Sequence, residues 1–514
     1  MQVMPPLHLA LALNRRKVVK LLLKNGADPN LATAEGVTPL HLVSWSSDRV
    51  AKLFFAINYD KGQTLLINAR GKNGNTPLHW ALSHGHRTMT KWLLERRLID
   101  LESRNCLGST PLHMISKRTT EDDTMELFFE MLAVVRKKTV NVDARDERGR
   151  TPLHYSLKNC HRLSTKTLLM NGADPNATDE EGSTALHLIC KRKYSFTHET
   201  AEVFFEVNDE IGRTVSIDAR DKKGNTPLHI ALFCKHEDMI QVLLKNGADP
   251  NLANEEGLTP LHIISKRDED DGSMKLFFEI IDDVQKTVQV DAVDKSGRTP
   301  LQWAVASLLP STIDVLLDNG ADLSRLNFVF PTVGHFDKKY KLRNRNRTIW
   351  FKLKFAYDTM AVVERLEKRG YELDRSGAMT IMNAFVKHEI FKRTANFDES
   401  RYDDEEFVKE AKEIMIKPSL SLYDLIRQRP EESITLNEMH EFLKTSTYYR
   451  FTKIYHDACD PYLCEIPTRR FFQKWAPDCL RELMNSANHF NADLWRICLA
   501  ATGRTEAQSI ELIA

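Results

Sequence analysis

The chain has 514 residues, with 72 basic and 71 acidic side chains and a formal net charge of +1. Such a length calls for more than one domain or for an elongated array, and the balanced charge gives no global attraction to nucleic acid or to an anionic membrane surface. No apolar run reaches the length needed to cross a bilayer. The eight cysteines lack disulfide or zinc-finger spacing, which predicts reduced thiols in the cytoplasm or the nucleus.

The first apolar run, around Leu7, Leu9, Leu11 and Leu13, has no basic residues before it and no small-residue cleavage site after it, so a secretory signal is not expected. Pro6-Leu7-His8-Leu9-Ala10 instead opens a pattern that recurs. Its third position falls at His8, His41, His79, His113, His154, His187, His229, His262 and Gln302, at intervals of 33, 38, 34, 41, 33, 42, 33 and 40 residues. The stretch Asn246–Ile264 repeats Asn25–Val43 at 14 of 19 positions. A unit of this size cannot bury its apolar face alone, so neighbours must stack.

Each position in the unit has a physical task. Thr259 is placed to N-cap a helix, and Pro260 takes the first helical position, where it has no amide hydrogen to lose. Gly247 follows an apolar helix, where a left-handed cap is expected. The segment from Asp249 to Gly257 reads as an exposed turn or hairpin. The unit is therefore a helix, a glycine stop, a protruding hairpin and a capped helix. It resembles the ankyrin repeat, whose pattern is G-x-T-P-L-H-x-A followed by a second helix ending L-L-x-x-G-A-D. The resemblance implies an all-α solenoid of helix–turn–helix pairs with protruding β-hairpin loops over about residues 1–325. It further implies recognition of a target protein by the hairpin tips and the concave helix face.

The spacing departs from a uniform array. A repeat of this kind is about 33 residues, so every second unit carries an insertion, and the true period is a pair of about 75 residues. The long units have a charged loop, Lys117-Arg118 with Glu121-Asp122-Asp123 or Lys266-Arg267 with Asp268 to Asp271, begun a third time by Lys191-Arg192. A longer second helix follows with paired aromatics, Phe54-Phe55, Phe128-Phe129, Phe204-Phe205 and Phe277-Phe278, whose spacing predicts helix packing. This long half is where an unusual binding surface is first to be sought.

The variable hairpin positions Asp146, Glu147, Arg148, Asp221, Lys222, Lys223, Asn254, Glu255, Asp294 and Lys295 are the candidate target contacts, their alternating sign suiting orientation-setting polar contacts. Eight histidines share one repeat position, so one structural role explains them all, and Gln302 in the ninth copy can still hydrogen-bond. His84 and His86 sit at an inter-helix turn, and His456, Cys459 and Cys464 lack a regularly spaced fourth ligand. No P-loop, dinucleotide turn or nucleophile elbow is present. The sequence predicts a binder without catalytic residues, metal or cofactor.

Residues 326–400 read as a degenerate terminal repeat and linker. They include a basic run from Lys338 to Lys354 that a solvated linker explains better than a nucleic-acid site. From 401 to 514 glycine nearly vanishes, and helices are expected over 405–416, 421–428, 437–444, 469–475, 477–486 and 492–501, separated by prolines. Ser419 to Ile426 resembles the S-L-Y-D-L signature of the PRANC domain, which follows such arrays in poxvirus, parasitoid-wasp and intracellular-bacterial proteins. Residues 470–514 resemble an F-box, with Ala476 and Asp478 where the pattern has leucine and glutamate. That resemblance implies a Skp–cullin ubiquitin ligase as partner, docked through Pro477, Leu480, Leu483, Leu494, Trp495 and Ile497. The apolar stripes on these short helices fit a partner's groove, or equally the small domain's own core. A plain scaffold or cytoplasmic inhibitor, its last helices only capping the array, is the alternative.

Overall fold

The computed structural model describes residues 4–136, 140–192, 197–326, 348–388, 390, 404–428, 434–435, 438 and 463–475. Those residues form an all-α solenoid of paired helices, with one small antiparallel strand pair among them. They fall into two compact units, Met1–Pro260 with Ile280–Val288, and Leu261–Glu279 with Gln289–Ala514.

In the first unit seven helix pairs follow one another, from Pro6–Ala12 with Arg16–Lys24 to Pro227–Phe233 with Glu237–Lys245. Their first helices run only five to seven residues, too short to persist in isolation. What defines them is the start. Thr38, Thr76, Thr110, Thr151, Thr184 and Thr226 are extended N-caps, and the histidine three residues on takes the place that Glu or Gln holds in an ordinary capping box. Its Nδ1 accepts the threonine amide at 3.1–3.2 Å. At the first repeat Pro5 stands where the threonine would be and has no amide hydrogen, and His8 Nδ1 is buried without a partner.

The alternation of long and short units appears in the second helices. In the short units these have nine, eight, nine, nine and nine residues. In the long ones they run thirteen, fourteen and eleven, and Thr124–Met131 continues as a π-helical turn over Leu132–Arg136. Phe54, Phe128 and Phe204 are fully buried and Phe277 nearly so, each edge-on to its neighbouring phenylalanine. The paired aromatics are packing residues. The protruding loops are not two-stranded hairpins: the only strand-like pairing described there is a single bridge between Thr178 and Thr184.

The second unit carries most of the eighth helix pair and the ninth, Pro300–Ala306 with Pro310–Asp318. A 21-residue helix, Thr348–Lys368, then covers the ninth repeat, pinned by Arg365 to Asp314 at 2.5 Å and Arg369 to Asp318 at 2.6 Å. Glycine stops it: Gly370 lies at φ +88°. Arg375–Lys387 packs on it through Phe355 and Phe385, and residues 463–475 form a further helix whose Phe472 meets Phe385.

The expected helix over 405–416 ends at Glu413. Ile414 and Ile416 are buried while Met415 is exposed, a two-residue period, and Met415–Lys417 pairs with Leu420–Ser421 around Pro418-Ser419. Proline at the turn and alternating burial select a strand pair over a continued helix. Ser421 caps the next helix, Leu422–Gln428, by accepting the Asp424 amide and donating to its carboxylate. The expected helices at 437–444, 477–486 and 492–501 lie outside the described residues, apart from the isolated Glu438.

Candidate interaction surface

Six of the protruding loops end in a five-residue tip built in one way. In the tips that start at Asn105, Asp146, Asp179, Asp221, Asn254 and Asp294, the first residue's amide donates to the fifth residue's carbonyl at 2.9–3.0 Å. Its side-chain Oδ1 accepts the amides of the third and fifth residues at 2.8–3.1 Å. Asp or Asn suits that position because its short side chain can close the turn on its own backbone. The fourth residue is glycine.

The tips are then joined edge to edge. The second residue's amide donates to the third residue's carbonyl of the preceding tip: Cys106 to Asn73, Glu147 to Leu107, Glu180 to Arg148, Lys222 to Glu181 and Glu255 to Lys223, at 2.9–3.1 Å. A second row runs beneath. Nε2 of the repeat histidine reaches the last residue of the following tip or the equivalent loop position, from His8 on Val37 to His262 on Arg298, at 2.9–3.1 Å. Gln302 makes both contacts with its amide, accepting from Thr299 at 2.9 Å and donating to the Arg325 carbonyl at 2.8 Å. Between a backbone donor at Nδ1 and a carbonyl at Nε2, His41, His79, His113, His154, His187 and His229 are neutral with the proton on Nε2. Burial pushes His79, His113 and His229 down to about 4 and lowers His41, His154, His187 and His262 as well.

This construction separates the predicted contact residues. Asp146, Asn254 and Asp294 are buried and close their tips, Asp146 also accepting from Lys117 and the Tyr155 hydroxyl. Asp221 closes its tip half-buried. Glu147, Arg148, Lys222, Lys223, Glu255 and Lys295 are exposed at the second and third positions. Glu180, Glu181 and Glu256 are exposed at the same positions, and the sequence reading passed over them. Counting two residues on from every tip Asp or Asn would have found them. Three successive tips thus present Glu180-Glu181, Lys222-Lys223 and Glu255-Glu256, an acidic–basic–acidic series.

The charged loops of the long units are occupied internally. Arg118 forks onto Asp122 at 2.6 and 2.8 Å, and Arg267 meets Asp271 at 3.2 Å. Glu121 accepts the Ser164 amide at 2.8 Å, and Asp270 accepts the Ser311 amide and the Thr312 hydroxyl. Both carboxylates therefore cap the second helix of the next short unit, where a negative charge meets the positive end of the helix dipole. Replacing Glu121 by Ala should cost about 1 kcal/mol in chemical denaturation, the usual worth of a helix cap, and Glu121→Gln should recover part of it.

Among the described residues no group of His, Cys, Asp and Glu is placed to hold a metal ion, and no helix is long and apolar enough to cross a membrane. His456 and Cys459 lie outside those residues, as do Lys338, Lys339, Lys341, Arg343, Arg345 and Arg347 of the basic run. Lys352 and Lys354 of that run belong to the Thr348–Lys368 helix, Lys354 pairing with Asp358 at 2.6 Å. Pro477, Leu480, Leu483, Leu494, Trp495 and Ile497 also lie outside.

The family model for ankyrin repeats in three copies matches residues 7–105, 47–131, 96–179, 163–254 and 246–327, which together are more than half of the chain. Rabankyrin-5 of Homo sapiens is 28% identical over 311 residues, 59% of this chain and 22% of that protein. Transient receptor potential cation channel subfamily A member 1 of Homo sapiens is 27% identical over 211 residues, 41% and 17% of the two chains. B-cell lymphoma 3 protein homolog of Mus musculus is 24% identical over 218 residues, 42% and 38%. The match spans well under half the length of each of these relatives.

Proposed function

The chain belongs to the ankyrin-repeat family, and on that premise we propose that it is a non-enzymatic scaffold whose loop tips hold a target protein. The observation that carries this reading is the row of backbone-locked tips, which fixes the backbone beneath paired charged side chains and so lowers the ordering cost of binding. The contact set is the exposed one: Glu147, Arg148, Glu180, Glu181, Lys222, Lys223, Glu255, Glu256 and Lys295. Its alternating charge selects a partner surface of the opposite series and sets its register. Reduced cysteines suit a cytoplasmic or nuclear site of action.

The finer reading is a ubiquitin-ligase substrate receptor, resting on the resemblance of residues 401–514 to PRANC and F-box sequences. It assigns adaptor contacts to Pro477, Leu480, Leu483, Leu494, Trp495 and Ile497. One observation favours the simpler alternative, an array capped by its own C-terminal helices: Arg365, Arg369 and Lys474 tie those helices to one another and to the ninth repeat. Affinity purification of the full chain beside its Leu480→Asp/Leu494→Asp variant separates the two. The receptor reading expects Skp and cullin chains with the first and at least tenfold less with the second. Target capture without any adaptor from either sample would leave a capped scaffold.

A further inference from the structure

The aromatic residue after the repeat histidine lies beside the residue four positions beyond the histidine of the preceding long unit. Two long–short pairs fill this place with their own cation. Lys117 Nζ sits 4.2 Å from the Tyr155 ring centre, and Lys266 Nζ sits 4.3 Å from that of Trp303. In each case the ring is also anchored to a tip carboxylate, Tyr155 to Asp146 and Trp303 to Asp294. In the pair formed by the second and third units the lysine is replaced by Trp45 and the tip carboxylate by Gly71. Trp45 stacks on Trp80 with ring centres 5.6 Å apart, and its indole nitrogen lies 3.1 Å from His84 Nδ1. It is nevertheless 57% exposed. Two rings thus stand where a cation and a ring stand elsewhere.

The same place has an uncommitted carboxylate. A cavity of about 640 Å³ is walled by Trp45, Asp48, His84, His86 and Arg87. Arg87 is engaged by Asp123. Asp48 lies 3.5 Å from His86 Nδ1, but that nitrogen accepts the Met89 amide while Nε2 donates to the Ser46 carbonyl. His86 therefore has no proton to give Asp48.

We infer that Trp45, backed by Trp80, and Asp48 form a docking position for a lysine or arginine side chain supplied by a partner protein segment. The array shows the chemistry twice with its own lysines; here the exposed Trp45 ring and a different carboxylate, Asp48, line one cavity and the cation would come from outside. A cation over an indole gains from the ring quadrupole, and Asp48 supplies the opposite charge within the same cavity. This inference rests on the protein-binding reading and specifies one partner feature.

The test pans random twelve-residue peptides against the full chain and measures the affinities of the selected sequences. Enrichment of Lys or Arg at one peptide position is expected, with binding weakened roughly 2- to 30-fold by Trp45→Lys, the span of an exposed to desolvated cation–π contact. Trp45→Lys places a lysine where Lys117 stands in the neighbouring pair and should leave thermal unfolding unchanged. Trp45→Phe should keep most of the affinity, Asp48→Asn should lose part of it, and changing the enriched Lys to Gln in the peptide should match the Trp45→Lys loss. Selection of acidic or wholly apolar peptides, or unchanged affinity in Trp45→Lys, overturns the inference while leaving the array a binder. Failure to select any peptide counts against both.

Discussion

Chemical denaturation of the full chain should show markedly lower stability at pH 5 than at pH 7, and replacing His79, His113 and His229 together by glutamine should remove much of that difference. In the unfolded chain a histidine titrates near 6.5, whereas burial holds these three down to about 4 when folded. At pH 7 both states are neutral and the groups are silent. As pH falls through 6.5 the unfolded chain binds protons that the folded chain refuses, so stability is lost until the folded value is reached. The window is therefore pH 6.5 to about 4, and each site costs about 2 kcal/mol at pH 5. His41, His154, His187 and His262 are lowered by the same burial and add to the slope. Asp143 and Asp218 run the other way, because burial raises them and the folded state takes their protons first. Asp122, Asp146 and Asp294 lie below the ordinary range and contribute only to losses at still lower pH. Glutamine is the right replacement because Gln302 already makes both bonds and does not titrate. If the glutamine variant keeps the full pH dependence of the denaturation midpoint, the histidine account is wrong.

The features that were legible in the sequence are the local ones. Threonine, proline and histidine at fixed offsets define a capped helix over four residues, and the structure realises the Thr–His cap at Thr38, Thr76, Thr110, Thr151, Thr184 and Thr226, with Ala185 in place of proline at Thr184. The presence of Gln302 where the other copies have histidine pointed to hydrogen bonding because the two side chains share a donor and an acceptor, and Gln302 does form both bonds. The insertion in alternate units was legible too, but not its task. Glu121 acts on Ser164, 43 residues away, and Asp270 on Ser311, 41 residues away, so no short-range pattern marks either as a cap. Glu121 and Asp270 of the long half are therefore spent within the array. The tip aspartates misled for the opposite reason: polarity at a loop apex suggested exposure, whereas Asp146 and Asp294 are buried by closing their own turns. Trp45 stands out only when the repeats are aligned in pairs, which sets it against Lys117 and Lys266.

Replacing Gly224 by Ala should cost about 3 kcal/mol, well beyond the same change at Gly62. Both glycines lie in the left-handed region, at φ +72° and +62°, and a side chain there costs roughly 1–2 kcal/mol. Their surroundings differ. A Cβ on Gly62 would meet nothing within 4 Å, whereas one on Gly224 would lie 2.7 Å from the backbone nitrogen of Glu255. That nitrogen is the donor to Lys223 that joins one tip to the next. Backbone is what must yield, so the clash is relieved by opening the tip-to-tip bond, and a lost hydrogen bond adds about 0.5–1.5 kcal/mol. The comparison between the two sites removes the conformational cost common to both and leaves the contact. Equal losses of stability at Gly224 and Gly62 would mean that the tips are not held by this row of bonds. A larger loss at Gly224, together with weaker target binding in charge-matched assays, would tie the rigidity of the tips to their use, since the charged pairs Lys222-Lys223 and Glu255-Glu256 are spaced by that bond.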